Sequence, residues 1–493
     1  MRDALGVLGL VGVLVLAGCV APAGVPSAGD QPTTAPTVHP PDPTNDVLGW
    51  EDGRWYNESI SVTQDDGLND SEIAVVVDRA MARVEYVRRL EFRRDVPVEI
   101  VSRATYRNET QRQFSGVPTN ASLHQDVKFE ALFVTGETQS AIAQQQENRA
   151  ASVLGYYSPA QDRIVIISSD TQSPNMDEIT LAQELFHALQ ERRFNVSRYH
   201  APTEEGHNAV SGIVEGDANY VDHLYKQRCD GGWQCLTPQA SGGGGGGGGS
   251  SVNVGMLALR LQPYSDGPVF VQGVREDGGW AAVNDVYAAP PRSTEQTIHP
   301  QTYRTDDPQT VHVEDLSSAA WSIPDLGAHS VEYARFGEAG TYVALWYSNY
   351  RAAAAEDPTS SALIPAADFF SPDAASSLDQ YDYDHRYTRG WDGDRLYPYV
   401  RETSAETGET GYVWKTVWDT PADAREFLEG YSALLSFHGA ERVANHPGTY
   451  RIPEGPYADA FYVVQRGTTV LIVNAPTVDA LSGVRAGAGT TAD

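Results

Sequence analysis

Lysine is nearly missing from this chain: only Lys128, Lys226 and Lys415 contribute to a total of 35 Lys and Arg, against 66 Asp and Glu in 493 residues. The formal charge is −31. A surface so rich in carboxylates repels phosphate, which excludes nucleic acid as a partner of the whole molecule and disfavours adsorption to anionic lipid by charge. Many carboxylates and few long lysine stems keep a surface hydrated in molar salt, where attraction between unlike charges is screened within about 3 Å. The balance points to a halophilic, archaeal source; an acidic protein of a GC-rich mesophile shares it. Cysteine is scarce, at three residues, and Cys229 with Cys235 lacks the second nearby pair that a thiolate zinc site needs. No internal repeat is present, which excludes solenoids and propellers. There is no Gly-x-Ser-x-Gly elbow and no dinucleotide fingerprint followed by a suitable helix.

Aromatic residues are plentiful, with 9 Trp, 25 Tyr and 13 Phe, which rules out a disordered acidic chain. The length allows two or three domains with full cores. The one long apolar run, Ala4 to Ala17, is too short to span a membrane comfortably and follows a single cation at Arg2. This is the pattern of an export signal. Leu16-Ala17-Gly18-Cys19 resembles a lipobox, which implies cleavage before Cys19, lipidation of its thiol, and attachment to the membrane at the extracellular face. An uncleaved anchor is the alternative, and it too puts the chain outside the cell. There Cys229 and Cys235, separated by a short turn-forming spacer, are expected to form a local disulfide. Sequons at Asn57, Asn69, Asn108, Asn120 and Asn195 fit a glycosylated exported surface.

The organisation expected is a signal peptide over 1–18, a Pro/Thr/Ala-rich tether over 19–49, a main domain over 50–328 and a smaller α+β domain over 329–493. The glycine run Gly242–Gly249, in an insertion over 241–251, lacks the Gly-Lys-Ser/Thr ending of a phosphate loop and reads as a flexible insertion. Within the main domain the apolar spacing predicts a helix from Asp70 to about Leu90, a strand over Val96–Val101 and a helical stretch over 121–150. A hairpin follows, with strands Leu154–Tyr157 and Arg163–Ile167 around a Ser-Pro turn. Helices are expected over Asp177–Arg193 and Glu204–Arg228. Gly278-Gly279-Trp280 and Ser293 to Pro300 read as loop-rich sequence. The later unit should hold two helical stretches, a Gly390–Arg395 loop and strands including Ala460–Gln465 and Thr468–Val473.

The stretch Thr180-Leu-Ala-Gln-Glu-Leu-Phe-His-Ala-Leu-Gln190 carries the one constellation with chemical content. Positions 183 and 187 are four apart and project from one helix face, while Leu181, Leu185 and Leu189 line another. A metal held from the first face would leave Glu184 beside it to orient and deprotonate a bound water, the geometry of the His-Glu-x-x-His zinc helix. Here the first position is Gln183. Val214-Glu215-Gly216-Asp217-Ala218 lies on the next expected helix, where Glu215 can return a carboxylate and Gly216 permits close packing.

At this point the sequence resembles the gluzincin metallopeptidases and, more narrowly, a family of haloarchaeal surface lipoproteins with such a core. The likeness spans about residues 70–310, and the Gly-Gly-Trp, Ser-Thr-Glu-Gln-x-x-His-Pro and Gly-Trp-Asp-Gly-Asp-Arg stretches share its look. It implies an α+β metallopeptidase domain built from a β-hairpin, an active-site helix and a Glu helix. In it His187 and Glu215 would be Zn2+ ligands, Glu184 the general base, and a peptide or protein the substrate. Two positions depart from the pattern. The Gln183 amide is a poorer zinc donor than imidazole, and Asn219 stands where some gluzincins hold the first His from an Asp. Impaired hydrolysis, an active peptidase and a metal-free envelope or binding module are therefore all open. His200, His207 and His223 are candidate replacement ligands and His299 and Tyr303 candidate oxyanion donors. Asp392 and Asp394 are candidate Ca2+ ligands; for each, a surface or turn role is the plainer reading.

Overall fold

Local capping sets the start of the first long helix. Asn69 Oδ1 accepts from the Ser71 and Glu72 N–H groups while Glu72 answers to the Asn69 N–H, a reciprocal box. The structure, a computed structural model, describes residues 40–168, 170–237, 252–328, 330–371, 378–401 and 409–491. The expected signal peptide, Cys19, most of the tether and the glycine run Gly242–Gly249 lie outside the described residues.

A short ribbon of β1 (Trp50–Glu51) and β2 (Arg54–Trp55) precedes α1 (Asp70–Arg88), β3 (Val98–Ser102), α2 (Arg103–Phe114), α3 (Thr119–Ala131) and α4 (Ala141–Ser152). The hairpin β4 (Gly155–Ser158) and β5 (Arg163–Ser168) leads into α5 (Glu178–Phe194) and α6 (Glu204–Asp230). Next come α7 (Val254–Val286), α8 (Glu295–Ile298), β6 (Trp321–Ser322) and α9 (Gly337–Ala354). The chain ends with β7 (Trp391–Arg401), β8 (Thr410–Trp418), α10 (Pro421–Phe437), β9 (Glu441–Arg442), β10 (Thr449–Arg451), β11 (Ala460–Arg466), β12 (Thr469–Ala475) and α11 (Val478–Val484). The architecture is mixed α+β. Among the described residues no helix is long and apolar enough to cross a membrane.

Three expectations are corrected. The helical stretch over 121–150 is two helices, α3 and α4, because the chain turns between them through Phe133 in the left-handed region, at φ 56°. Gly278-Gly279-Trp280 is not a loop but lies within α7, interrupted only where Gly279 takes φ 67° and ψ −170°. Pro263 and Pro268, with no exposed residue over the first part of the helix, disguise it as irregular sequence, and the exposed stretch Glu276–Gly279 breaks the pattern again. The Gly390–Arg395 stretch enters β7 and is not an open loop. Asp392 is the bulged residue between the pairs Trp391–Trp418 and Gly393–Val417.

The first sheet has the order β3-β5-β4, with β3 parallel to β5 and β4 antiparallel at the free edge. Its residues Tyr157, Ile164 and Ile166 join Leu181, Leu185 and Leu189 of α5 and Val76, Ala80 and Val84 of α1 in one apolar core. Glu178, fully buried in the first turn of α5, ties the surroundings together. It pairs with Arg79 at 2.8 Å and Arg83 at 2.5 Å and accepts from Tyr225 Oη and Leu236 N. Cys229 and Cys235 beside it are joined in a disulfide, with Cα atoms 5.6 Å apart.

The second sheet has seven antiparallel strands in the order β6-β7-β8-β12-β11-β10-β9. Alternation decides its two faces: Tyr412 and Trp414 of β8 pack with α9 and α10, while Val413 between them packs with Leu481 and Val484 of α11. Met256 and Leu259 of α7 share the first of these cores with Leu345 and Trp346 of α9.

Candidate active site between the edge strand and two helices

Asp177 caps α5 by accepting from Thr180 N–H, and Asn195 ends the helix in a left-handed turn, φ 54°. Between these ends Gln183, Glu184 and His187 are all buried, at 2%, 0% and 8% exposure. On α6, Glu215 is exposed by 4% and faces them. Helix α6 is set by α7, which crosses it backbone to backbone. A Cβ on Gly216 would come within 2.5 Å of the Gly267 carbonyl carbon, and one on Gly267 within 2.8 Å of Gly212 O. The close approach expected of Gly216 is thus made against α7.

Glu184 reaches the edge strand, where its Oε2 accepts from Tyr157 N–H of β4 at 2.8 Å. Its other oxygen, Oε1, is buried without a partner. Burial pushes the carboxyl up to about 7, against the pull of His187, with Glu215 adding to the rise.

Hydrogen bonds fix the His187 tautomer. Gln190 Nε2 donates to Val214 O and to Tyr287 Oη, both at 2.7 Å, and Tyr287 Oη donates in turn to Asp217 Oδ2. The Gln190 amide is thereby oriented with Oε1 toward His187 Nδ1 at 2.8 Å, so that nitrogen carries the hydrogen. Asp217 is held in turn by a two-pronged contact from Arg88, fully buried, which also bonds Asn284 and lies over the Trp280 ring. When neutral, the ring turns a bare Nε2 lone pair toward Glu215 Oε2, 3.4 Å away, and neither atom has a hydrogen-bond partner. Two acceptors facing each other at this distance need a proton or a cation between them. Burial alone would lower the imidazole pKa, but Glu215 and Glu184 outweigh it and raise it to about 9.

Glu184, His187 and Glu215 are thus brought together by β4, α5 and α6, with Gln183 buried on α5 one turn before His187. A third strong donor is not: among the described residues no triad of His, Cys, Asp or Glu ligand atoms within 4.8 Å of one another includes His187 and Glu215. Asn219 turns its amide onto Glu215 O, in its own helix. His200 is exposed and His223 bonds Gln227. His207, whose pKa burial lowers, feels the charges of Glu204, Arg260 and Glu215.

The remaining candidates are engaged elsewhere. His299 Nε2 meets Glu338 at 3.1 Å and Tyr303 Oη donates to Ala289 O, so neither serves as an oxyanion donor beside Glu184. Asp392 and Asp394 do not form a calcium loop. Asp392 accepts from Gln309, and Asp394 accepts from Phe336 N, Gly337 N and Trp414 Nε1, sealing the start of α9. Of the sequons, Asn108 and Asn195 are exposed, Asn69 is used as the cap of α1, Asn120 Nδ2 donates to Asp325 O, and Asn57 Oδ1 is buried.

Sequence reasoning missed the supporting chain Gln190–Tyr287–Asp217–Arg88. Gln190, one helical turn beyond His187, and Asp217, two positions beyond Glu215, carry a spacing signal; Tyr287 and Arg88 carry none. It also missed Asp222, seven positions after Glu215 on α6, whose Oδ1 is buried and unpartnered. Its carboxyl is raised by burial and by Asp177, against the attraction of His187.

Residues 325–485 match the model of a family described only as a domain of unknown function (DUF8575), which takes in α9 to α11 and the strands β7 to β12 of the larger sheet but neither β6 nor the site on α5 and α6. No curated protein and no solved structure matches the chain.

Proposed function

We propose that the protein is an exported, lipid-anchored protein of the cell surface built on a zinc-metallopeptidase-like core, in which Gln183 has weakened metal binding and peptide hydrolysis. One observation carries the reading of the core: Glu184 Oε1, His187 Nε2 and Glu215 Oε2 are buried together without hydrogen-bond partners. Each such atom costs about 1–3 kcal/mol unless something supplies a bond. The donor set fits a divalent transition metal, with His187 Nε2 and Glu215 Oε2 as ligands and the Gln183 amide as a poor third. When bound, zinc polarises a carbonyl and acidifies water. Gln190 presents His187 in the ligating tautomer, and Arg88 with Tyr287 holds Asp217 in support. Glu184, anchored by Tyr157 N–H and raised to about 7, is poised to take a proton from water near neutral pH. A peptide or protein is the substrate class. The surface location rests on Arg2, the apolar run Ala4–Ala17 and Cys19.

A metal-free envelope or binding module is the second reading, favoured by the His187 pKa of about 9: a protonated ring would donate to Glu215 and close the site. The test is the zinc content of the chain purified in molar salt, beside Gln183→His and Glu215→Ala. Zinc in Gln183→His but not in the parent is the expected result. About one zinc per parent chain, lost in Glu215→Ala, would instead make this an intact peptidase. No zinc in any form would leave the binding module.

A further inference from the structure

A second group of ligating side chains lies away from the α5–α6 cleft. Glu295 of α8, Asp306 of the segment leading to β6 and Asp419 of the turn between β8 and α10 bring carboxylate oxygens within 4.8 Å of one another. They are distant in sequence, so the fold itself has assembled the cluster. Acidic clusters are common on an acidic protein, and this one alone would mean little.

Glu295 sets it apart. Its side chain is only 4% exposed, yet among the described residues it has neither a hydrogen-bond donor nor an ion-pair partner. The groups that face it are Glu338, Asp419, Asp306 and Glu205, all acidic, and those facing Asp419 are Asp306, Asp392 and Asp423. Burial first, then these neighbours, raise the Glu295 carboxyl to about 9. Nearby Glu338 leaves its own Oε2 buried and unpartnered. The contrast with the adjacent group of His299, Glu338 and Asp384 is instructive: there His299 pairs with Glu338 and Arg389 with Asp384, so that group is already neutralised.

We propose that Glu295, Asp306 and Asp419 hold a calcium ion that fastens the segment after α8 to the larger sheet. All donors are carboxylate oxygens, which favour a hard cation over zinc. Three carboxylates binding through one or two oxygens each supply three to six of the roughly six to eight that calcium takes, with water completing the shell. Magnesium, which demands a near-ideal octahedron and keeps several waters, fits a cluster drawn from three separate segments less well. The ion closes a tie already begun by Gln296 Nε2 on Asp306 O, and by Gln309 on the bulged Asp392 beside Asp419. The calcium loop sought in Gly390–Arg395 is therefore replaced by a site assembled next to it in space.

The experiment is a calcium titration of the chelator-treated full chain in molar KCl, with Glu295→Gln and the exposed-site variant Asp419→Asn in parallel. The parent is expected to take one calcium, and both variants to bind at least about tenfold more weakly. Asp419→Asn keeps the test valid should Glu295→Gln fail to fold. Variants that titrate like the parent, or a parent that takes none, would overturn the proposal. Equal affinity for magnesium would overturn the choice of ion. Glu215→Ala should keep the calcium, which separates this site from the cleft.

Discussion

Gly216→Ala tests whether the cleft is set by the α6–α7 crossing. The added methyl would lie 2.5 Å from Gly267 C, 2.6 Å from its O and 2.8 Å from its Cα. Carbon atoms rest at about 3.5–4.0 Å, so the helices must part by about 1 Å, and no side chain can swing aside because every clashing atom is backbone. Overpacking of this kind costs about 1–3 kcal/mol; with the upper end expected here and about 1 kcal/mol returned by the better helix propensity of Ala, the net loss is about 2 kcal/mol. Gly273→Ala is the matched control: it sits on α7 with nothing within 4 Å of its Cβ, and it should gain up to about 1 kcal/mol. Denaturant unfolding in molar salt, followed by fluorescence, should show a lower midpoint at unchanged slope for the first variant and a higher one for the second. If the two variants prove equally stable, the argument that bare backbone sets the distance between these helices is wrong.

Two further outcomes follow from the same geometry. Gln190→Leu removes the acceptor that fixes His187 Nδ1–H, and on the Gln183→His background it should weaken zinc binding about 10- to 100-fold in a competition titration; an unchanged affinity would show that Gln190 does not orient the ring. Glu204 is pushed up by burial but held down to about 2 by Lys128, Arg260 and His207. Its folded pKa lies below its unfolded value of about 4.5, so its contribution is present above pH 4.5 and lost as pH falls toward 2. Glu204→Gln should remove up to about 3 kcal/mol of acid-sensitive stability, measured as a flatter fall in unfolding free energy over that window; parallel curves for parent and variant would contradict this.

What was legible in the sequence is what neighbouring residues decide. The spacing of Gln183, Glu184 and His187 against Leu181, Leu185 and Leu189 marks both the helix and its two faces. The Ser158-Pro159 turn marks the hairpin, and the short spacer between Cys229 and Cys235 makes their pairing readable. Helix α7 was not legible, because Pro263, Pro268 and Gly267 speak locally against a helix that the packing of its first part, from Gly255 to Val271, sustains.

The sequence by itself determined which side chains could do chemistry. Tertiary structure alone decided how each is held. Tyr287 meets Gln190 across 97 positions and Arg88 meets Asp217 across 129. Glu295 finds Asp306 and Asp419 only after the segment following α8 has been laid against the sheet. Local pattern fixes periodicity and caps, which depend on residues a few positions apart. A buried charge or an oriented imidazole depends on what faces it, and that is set by the packing of elements far apart in the chain.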